Sequence, residues 1–334
     1  MRTAEVSTAV LYGWMDRIHD FGVDVSQAQC VAGIGQTVTR GEDEKIPLIN
    51  FTRMAEFVGD HSSSACASWL IGEEYDLDEL GEVGSAVLSA KTLGGALRRL
   101  TDNFELLQDS SRLNLETNSD TATISYRILD PAIWPRHQDA LFSLGIIAKI
   151  ARLAVPEILE FAELGFECRK RDTGLRVSQS QLTFECEANS IRLPVAMLDR
   201  LMPEAGNSCD LKFLSMKLAE QRRQRPARER LAGIIFARLA DGQIDQDHLA
   251  CEIGMSSRTM RRRLASEATS FQELLDDCRM RQAVLEFQAR PDASIAEVAL
   301  RLGYAEHSTF TRAFSRWAGM PPQKFRTDLV ATMH

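Results

Sequence analysis

Most of the patterns that announce an activity are missing from these 334 residues. No C-x-x-C pair occurs among the seven cysteines (30, 66, 168, 186, 209, 251 and 278), and their number is odd, which excludes a complete disulfide framework and a zinc site of ordinary spacing. The expectation is buried free thiols. The uncharged apolar run at 141–148 falls far short of the roughly 20 residues a membrane helix needs, and Lys149 ends it. The opening MRTAEVSTAVLYGWMDR lacks a basic segment with a long apolar core and a small-residue cleavage site, so a cytoplasmic chain without a membrane partner is expected. There is no G-x-S-x-G, no phosphate-binding glycine loop, no H-E-x-x-H and no other metal spacing. No catalytic residue, metal or cofactor is expected.

What is present is an ordinary globular composition, 44% hydrophobic and 26% charged, with its charge divided unevenly along the chain. Residues 1–211 hold 19 Lys+Arg against 32 Asp+Glu, a balance of −13, and residues 212–334 hold 20 against 15, a balance of +5. The total of −8 hides that division, which points to a nucleic-acid-binding module joined to something else.

The cluster PEAGNSC at 203–209 breaks the preceding pattern and marks a boundary. After it the chain reads as nearly all helix. Leu211, Leu214 and Leu218 recur at helical spacing before the basic run Arg222, Arg223 and Arg225, and Pro226 opens a helix over 227–240 that Asp241-Gly242 ends. Further helices are predicted at 246–253, 257–266, 271–288, 295–301, 307–318 and 322–328. Ser270 with Glu273, and Ser294 with Glu297, have the spacing of capping boxes.

Within this region one pattern occurs twice. LAxxIGMS at 249–256 aligns with VAxxLGYA at 298–305, and beyond it Met260 and Leu264 align with Phe310 and Phe314. Each copy reads as a helix, a turn that needs a left-handed glycine, and a second helix with one buried face. The other face of that second helix carries Ser257, Arg258, Arg261 and Arg262, flanked by Arg263, in the first copy. In the second it carries His307, Ser308, Thr311 and Arg312. Clustered arginines repel each other on a purely structural element, whereas they suit a phosphate-lined groove, and arginine pairs bidentately with guanine. The helix at 271–288 spans about 27 Å at 1.5 Å per residue. With packing at each end this approaches one duplex turn, so two second helices would enter adjacent major grooves of double-stranded DNA.

Residues 230–328 thereby resemble the DNA-binding domain of the AraC/XylS family of bacterial transcription regulators. IGMSSRTMRRRL at 253–264, FQELLDDCRMRQA at 271–283 and SIAEVALRLGYAEHSTFTRAFSRWAGMPPQKFR at 294–326 carry the likeness. The resemblance implies two helix-turn-helix units joined by one long helix, with DNA contacts at Ser257, Arg258, Arg261, Arg262, His307, Ser308, Thr311 and Arg312. Pro321 to Lys324 and Arg326 resemble the closing segment, where Lys324 and Arg326 would reach phosphate.

In the acidic part, helices are expected at 10–21, 47–58, 93–107 and 136–154, and strands at 111–116, 121–129, 158–161, 182–187 and 190–193, an α+β order. PLINFTRMAEFVGD at 47–60 and DLDELGEVGSAVLSAKTLGGALRRL at 76–100 resemble the N-terminal domain of one branch of the same family, labelled arabinose-binding-like. That likeness implies an effector-sensing and dimerising role, with neither the effector nor its pocket residues named. HSSS at 61–64 reads as a hydroxyl-rich helix start in preference to a nucleophile beside a base. Glu73-Glu74 through Glu82 reads as a solvated acidic face. Trp14, Trp69 and Trp134 read as core, with a pocket wall as the alternative.

The expected architecture is therefore an α+β effector domain at 1–203, a linker with a helix at 204–226 and an all-α double helix-turn-helix domain at 227–330. The expected function is sequence-specific transcription regulation under a small-molecule effector, by a nucleoid-associated protein and not an enzyme. RNA polymerase and a second copy of the chain are further expected partners, the second suggested by the 211–218 helix. Two readings compete. Modules of this kind are also fused to DNA-repair alkyltransferases, but the Pro-Cys-His setting and four-cysteine site those need are absent, which leaves only Cys168 with basic neighbours. An interaction protein with a decayed DNA domain would not need intact glycines and outward arginines.

Overall fold

A computed structural model describes residues 3–35, 44–170, 173–178, 181–203, 209–239 and 244–332. The chain divides into two compact units, Arg2–Ala219 and Glu220–His334. Residues 204–208 of the expected boundary cluster at 203–209, and the Asp241-Gly242 helix end, lie outside the described residues.

The first unit opens with β1 (Glu5–Ser7), α1 (Thr8–Ile18) and α2 (Val25–Ala32), and β2 (Lys45–Pro47) pairs antiparallel with β1. The helices α3 (Leu48–His61), α4 (Ala67–Glu74), α5 (Glu82–Leu88) and α6 (Leu93–Leu107) follow. Next come β3 (Ser111–Thr117), β4 (Thr121–Ile128) and the long α7 (His137–Ala154), then β5 (Glu163–Gly165), β6 (Leu182–Thr183) and β7 (Asn189–Pro194). Five described strands form one sheet in the order β3-β4-β7-β5-β6, antiparallel except for the β5–β6 pair. The unit mixes helices with a largely antiparallel sheet, where the element order leads to an α+β expectation.

α7 is the centre of this unit because it is apolar around most of its circumference, and α4 crosses it at a pair of glycines. A Cβ on Gly72 would lie 2.4 Å from the Phe142 carbonyl oxygen, and one on Gly145 would lie 2.4 Å from that of Trp69. Only glycine permits backbones to approach so closely. At the sheet end of α7, buried Glu167 is paired with Arg127 at 2.5 Å and Arg136 at 2.9 Å, and accepts a hydrogen bond from Asn189 at 3.3 Å.

Several expectations need correction here. Residues 158–161 are not a strand: Ile158–Glu160 is a short 3-10 turn that drops Ile158 into the core after Val155, three residues earlier. HSSS at 61–64 ends α3 and does not start a helix; the His61 ring stacks on Phe57 at 4.1 Å, and Ser62 and Ser63 donate to the Ser64 and Phe21 carbonyls. The acidic stretch is partly structural, since Glu73 pairs with Arg152 at 3.2 Å with only 15% of its side chain exposed. The cysteines form no disulfide, but Cys30 and Cys251 are exposed, on outward faces of α2 and of a helix in the second unit, where burial was expected. Trp14 and Trp69 are core residues.

The helix α8 (Leu211–Gln224) spans the division between the units. The second unit comprises α9 (Ala227–Arg238), α10 (Gln246–Glu252), α11 (Ser257–Ser266), α12 (Phe271–Ala289), α13 (Ile295–Arg301), α14 (His307–Ala318) and α15 (Pro322–Thr332). It holds two small cores, one on each half of α12. The first gathers Leu231, Ile235, Leu249, Met260 and Leu264 against Leu274 and Cys278, and the second gathers Val298, Leu302, Phe310 and Phe314 against Ala283 and Phe287. Both capping boxes are formed, at Ser270/Glu273 and Ser294/Glu297.

Candidate nucleic-acid interface

The α10–α11 and α13–α14 pairs have the same turn. Gly254 has φ 71° and Gly303 has φ 76°, the left-handed region that glycine enters without steric cost. Met255 N–H donates to the Ala250 carbonyl at 2.9 Å and Gly254 N–H to that of Cys251 at 2.9 Å; Tyr304 and Gly303 repeat both bonds onto Ala299 and Leu300 at 3.0 Å. This reciprocal closure satisfies the end of the first helix and tips Met255 or Tyr304 into the local core. The second helix must then leave at a fixed angle.

Side chains outside the repeat brace these turns. Arg230 of α9 donates to the Ile253 carbonyl at 3.0 Å, and the Arg279 guanidinium of α12 lies over the Tyr304 ring at 4.9 Å. Arg316 of α14 pairs with Asp276 of α12 at 2.8 Å, and Glu267 accepts from the Ala227 and Arg228 N–H groups at 2.8 and 2.9 Å, which caps the start of α9. None of these bracing side chains belongs to the repeated pattern, and each meets a partner distant in sequence.

On α11, Met260 and Leu264 are buried while Arg258, Arg261, Arg262 and Arg263 are exposed. Ser256 caps the helix through Thr259 N–H, Arg261 Nε reaches the Ser257 carbonyl at 3.4 Å, and the Ser257 hydroxyl donates to Asp247. On α14, Phe310 and Phe314 are buried, and His307, Ser308 and Arg312 are exposed. Thr311 is half-buried, and its hydroxyl donates to the His307 carbonyl at 2.9 Å. In α15, Lys324 is exposed, whereas Arg326 is half-buried and donates to the Ala293 carbonyl and, at 2.7 Å, to Gln323.

The first unit holds a different kind of site. A partly open cavity with about 470 Å³ of empty space, its mouth included, lies between α1, α3, α6, α7 and β3. Phe51, Leu100, Leu107, Phe142 and Ile147 are among its apolar walls, and Gln108, Asp139 and Ser143 are its polar members. No sequence pattern marks these residues as a site; the signal that could have found the cavity is Asp139, an acid at the start of an otherwise apolar helix stretch.

A helix-turn-helix domain model matches residues 249–328, from within α10 to within α15. A second model, the N-terminal arabinose-binding domain of AraC transcription regulators, matches residues 22–202, more than half of the chain. The chain belongs to the AraC family. It is a DNA-binding transcription regulator with an arabinose-binding-like N-terminal domain, and the family is one of regulators and not of enzymes. An uncharacterized helix-turn-helix regulator of Mycobacterium tuberculosis is 30% identical over 273 residues, which cover 76% of each chain. The regulator VirS of the same species is 26% identical over 330 residues, covering 95% of this chain and 94% of its own. The ornithine utilization regulator of Pseudomonas aeruginosa is 25% identical and covers 97% of both. Among the described residues, no helix is long and apolar enough to cross a membrane.

Proposed function

We propose that α10–α11 and α13–α14 are two helix-turn-helix units that read adjacent major grooves on one face of double-stranded DNA. Ser257, Arg258, Arg261 and Arg262 would face one groove and His307, Ser308, Thr311 and Arg312 the next, while Lys324 contacts phosphate. Arg326 joins Lys324 only through a guanidinium already engaged by Ala293 and Gln323. The observation that carries this reading is the identical glycine turn in both pairs, each followed by a helix with a two-residue apolar anchor and a polar outer face. α12 supports the spacing, because 19 residues amount to about 28 Å against roughly 34 Å for one duplex turn.

The same reading divides the chain into an effector domain at 1–203, a linker with a helix at 204–226 and the DNA domain at 227–330. It places the protein in the cytoplasm on the nucleoid, where an effector held by the first domain adjusts DNA binding or contact with RNA polymerase. Self-association would use α8, whose Leu211, Phe213 and Met216 are exposed. Selection of genomic fragments at near-physiological salt, where phosphate-only binding is suppressed, tests the reading. A retained motif with two short blocks about one helical turn apart is the expected result. Retention that does not depend on sequence, with and without added metabolite pools, would overturn it.

A further inference from the structure

The cavity in the first unit has apolar walls and a polar end whose hydrogen bonds run in one direction. Gln108 Nε2 donates to the Tyr126 hydroxyl at 2.6 Å, and that hydroxyl donates to Asp139 Oδ2 at 2.6 Å. Asp139 is 1% exposed, and among the described residues no donor meets its other oxygen, Oδ1. A buried carboxylate oxygen without a donor carries the full cost of its lost hydration. Burial pushes the Asp139 carboxyl up to about 6, against the opposing influence of the Tyr126 hydrogen bond and the Arg136 charge. Neither the packing of the fold nor the outer faces of α11 and α14 uses this oxygen.

We propose that this cavity is the effector site and that it takes a small molecule with an apolar body and one hydrogen-bond-donating head, an amine or a hydroxyl, which meets Asp139 Oδ1. The proposal rests on the effector-control reading and supplies its ligand class. A carboxylate head is disfavoured, because it would meet Asp139 and no lysine or arginine lines the cavity. Phe104, Leu113 and Ser143 are the partly exposed lining residues, so entry runs past them.

The test is calorimetric titration of the full chain at neutral pH with hexylamine, hexanol and hexanoate, three probes that share one apolar body. Hexylamine and hexanol bind, and hexanoate binds at least about tenfold more weakly, in keeping with the strength of a hydrogen bond to a charged group. Tighter binding of the amine than of the alcohol assigns a cationic head, and the reverse a neutral one. Asp139→Asn weakens hexylamine by about tenfold and removes the discrimination against hexanoate. Leu113→Trp, which fills the cavity from β3 and leaves Asp139 in place, weakens every probe. Equal binding of hexanoate and hexylamine, no binding of any probe at millimolar concentration, or unaltered binding by both variants would overturn the proposal. DNA retention measured on the same samples separates the two readings. Retained DNA without probe binding removes the ligand class alone, and probe binding without sequence-selective DNA retention removes the regulator's reading surface alone.

Discussion

Asp139 and Glu167 are both buried carboxylates, and their neighbours give them opposite parts. Glu167 balances two buried arginines, so Glu167→Gln leaves Arg127 and Arg136 short of counter-charge. A loss of about 3–5 kcal/mol in urea unfolding is expected. Asp139 is the reverse case. Its folded value of about 6 lies above the ordinary 3.8, so the folded chain holds this proton more tightly than the unfolded chain. Its contribution to stability is present below pH about 4 and is lost as pH rises through about 6. Asp139→Asn should therefore raise the unfolding temperature at pH 7.5 and change it little at pH 4, with a difference on the order of 3 kcal/mol. No change in the pH slope would refute that assignment. The sequence pointed to neither cluster, because Gln108, Tyr126 and Asp139, like Arg127, Glu167 and Asn189, come from separate segments that only the sheet and α7 bring together. Arg258, Arg261 and Arg262 were legible, since a local helical period alone fixes which side they occupy.

Elements whose limits are set by local chemistry were read closely from sequence. The capping serines fix the starts of α12 and α13, and the left-handed glycines fix the ends of α10 and α13. Gly254→Ala meets nothing within 4 Å, so its cost is the backbone conformation alone, about 1 kcal/mol, read from thermal unfolding. Gly145→Ala forces a methyl against the Trp69 carbonyl and should cost more, about 1–3 kcal/mol or a shifted α4. Equal effects for the two would contradict the close helix crossing. Sequence reading faltered where tertiary contact decides. β1 and β2 are three residues each and exist through pairing with each other, α2, α4 and α5 are short helices without a strong period, and the 158–161 segment curls into a single turn that buries Ile158 and leaves Phe161 exposed.

At the scale of the whole molecule the charge division is the feature that matters, with an acidic portion of −13 and a basic portion of +5. Binding to a cognate site should weaken steeply with salt, because each neutralised phosphate releases counterions, and Lys324→Ala should reduce that slope by about one contact without altering which sequence is preferred. The central claim is that two faces on one chain read two separate blocks. The measurement is the affinity of the full chain and of Arg261→Ala and Arg312→Ala for the selected site and for versions with either block scrambled. The account predicts that Arg261→Ala loses about 1–3 kcal/mol on the intact site and almost nothing once its own block is scrambled, and that Arg312→Ala behaves likewise with the other block. If both substitutions weaken binding equally whichever block is scrambled, or neither weakens it, these two helices do not read separate blocks.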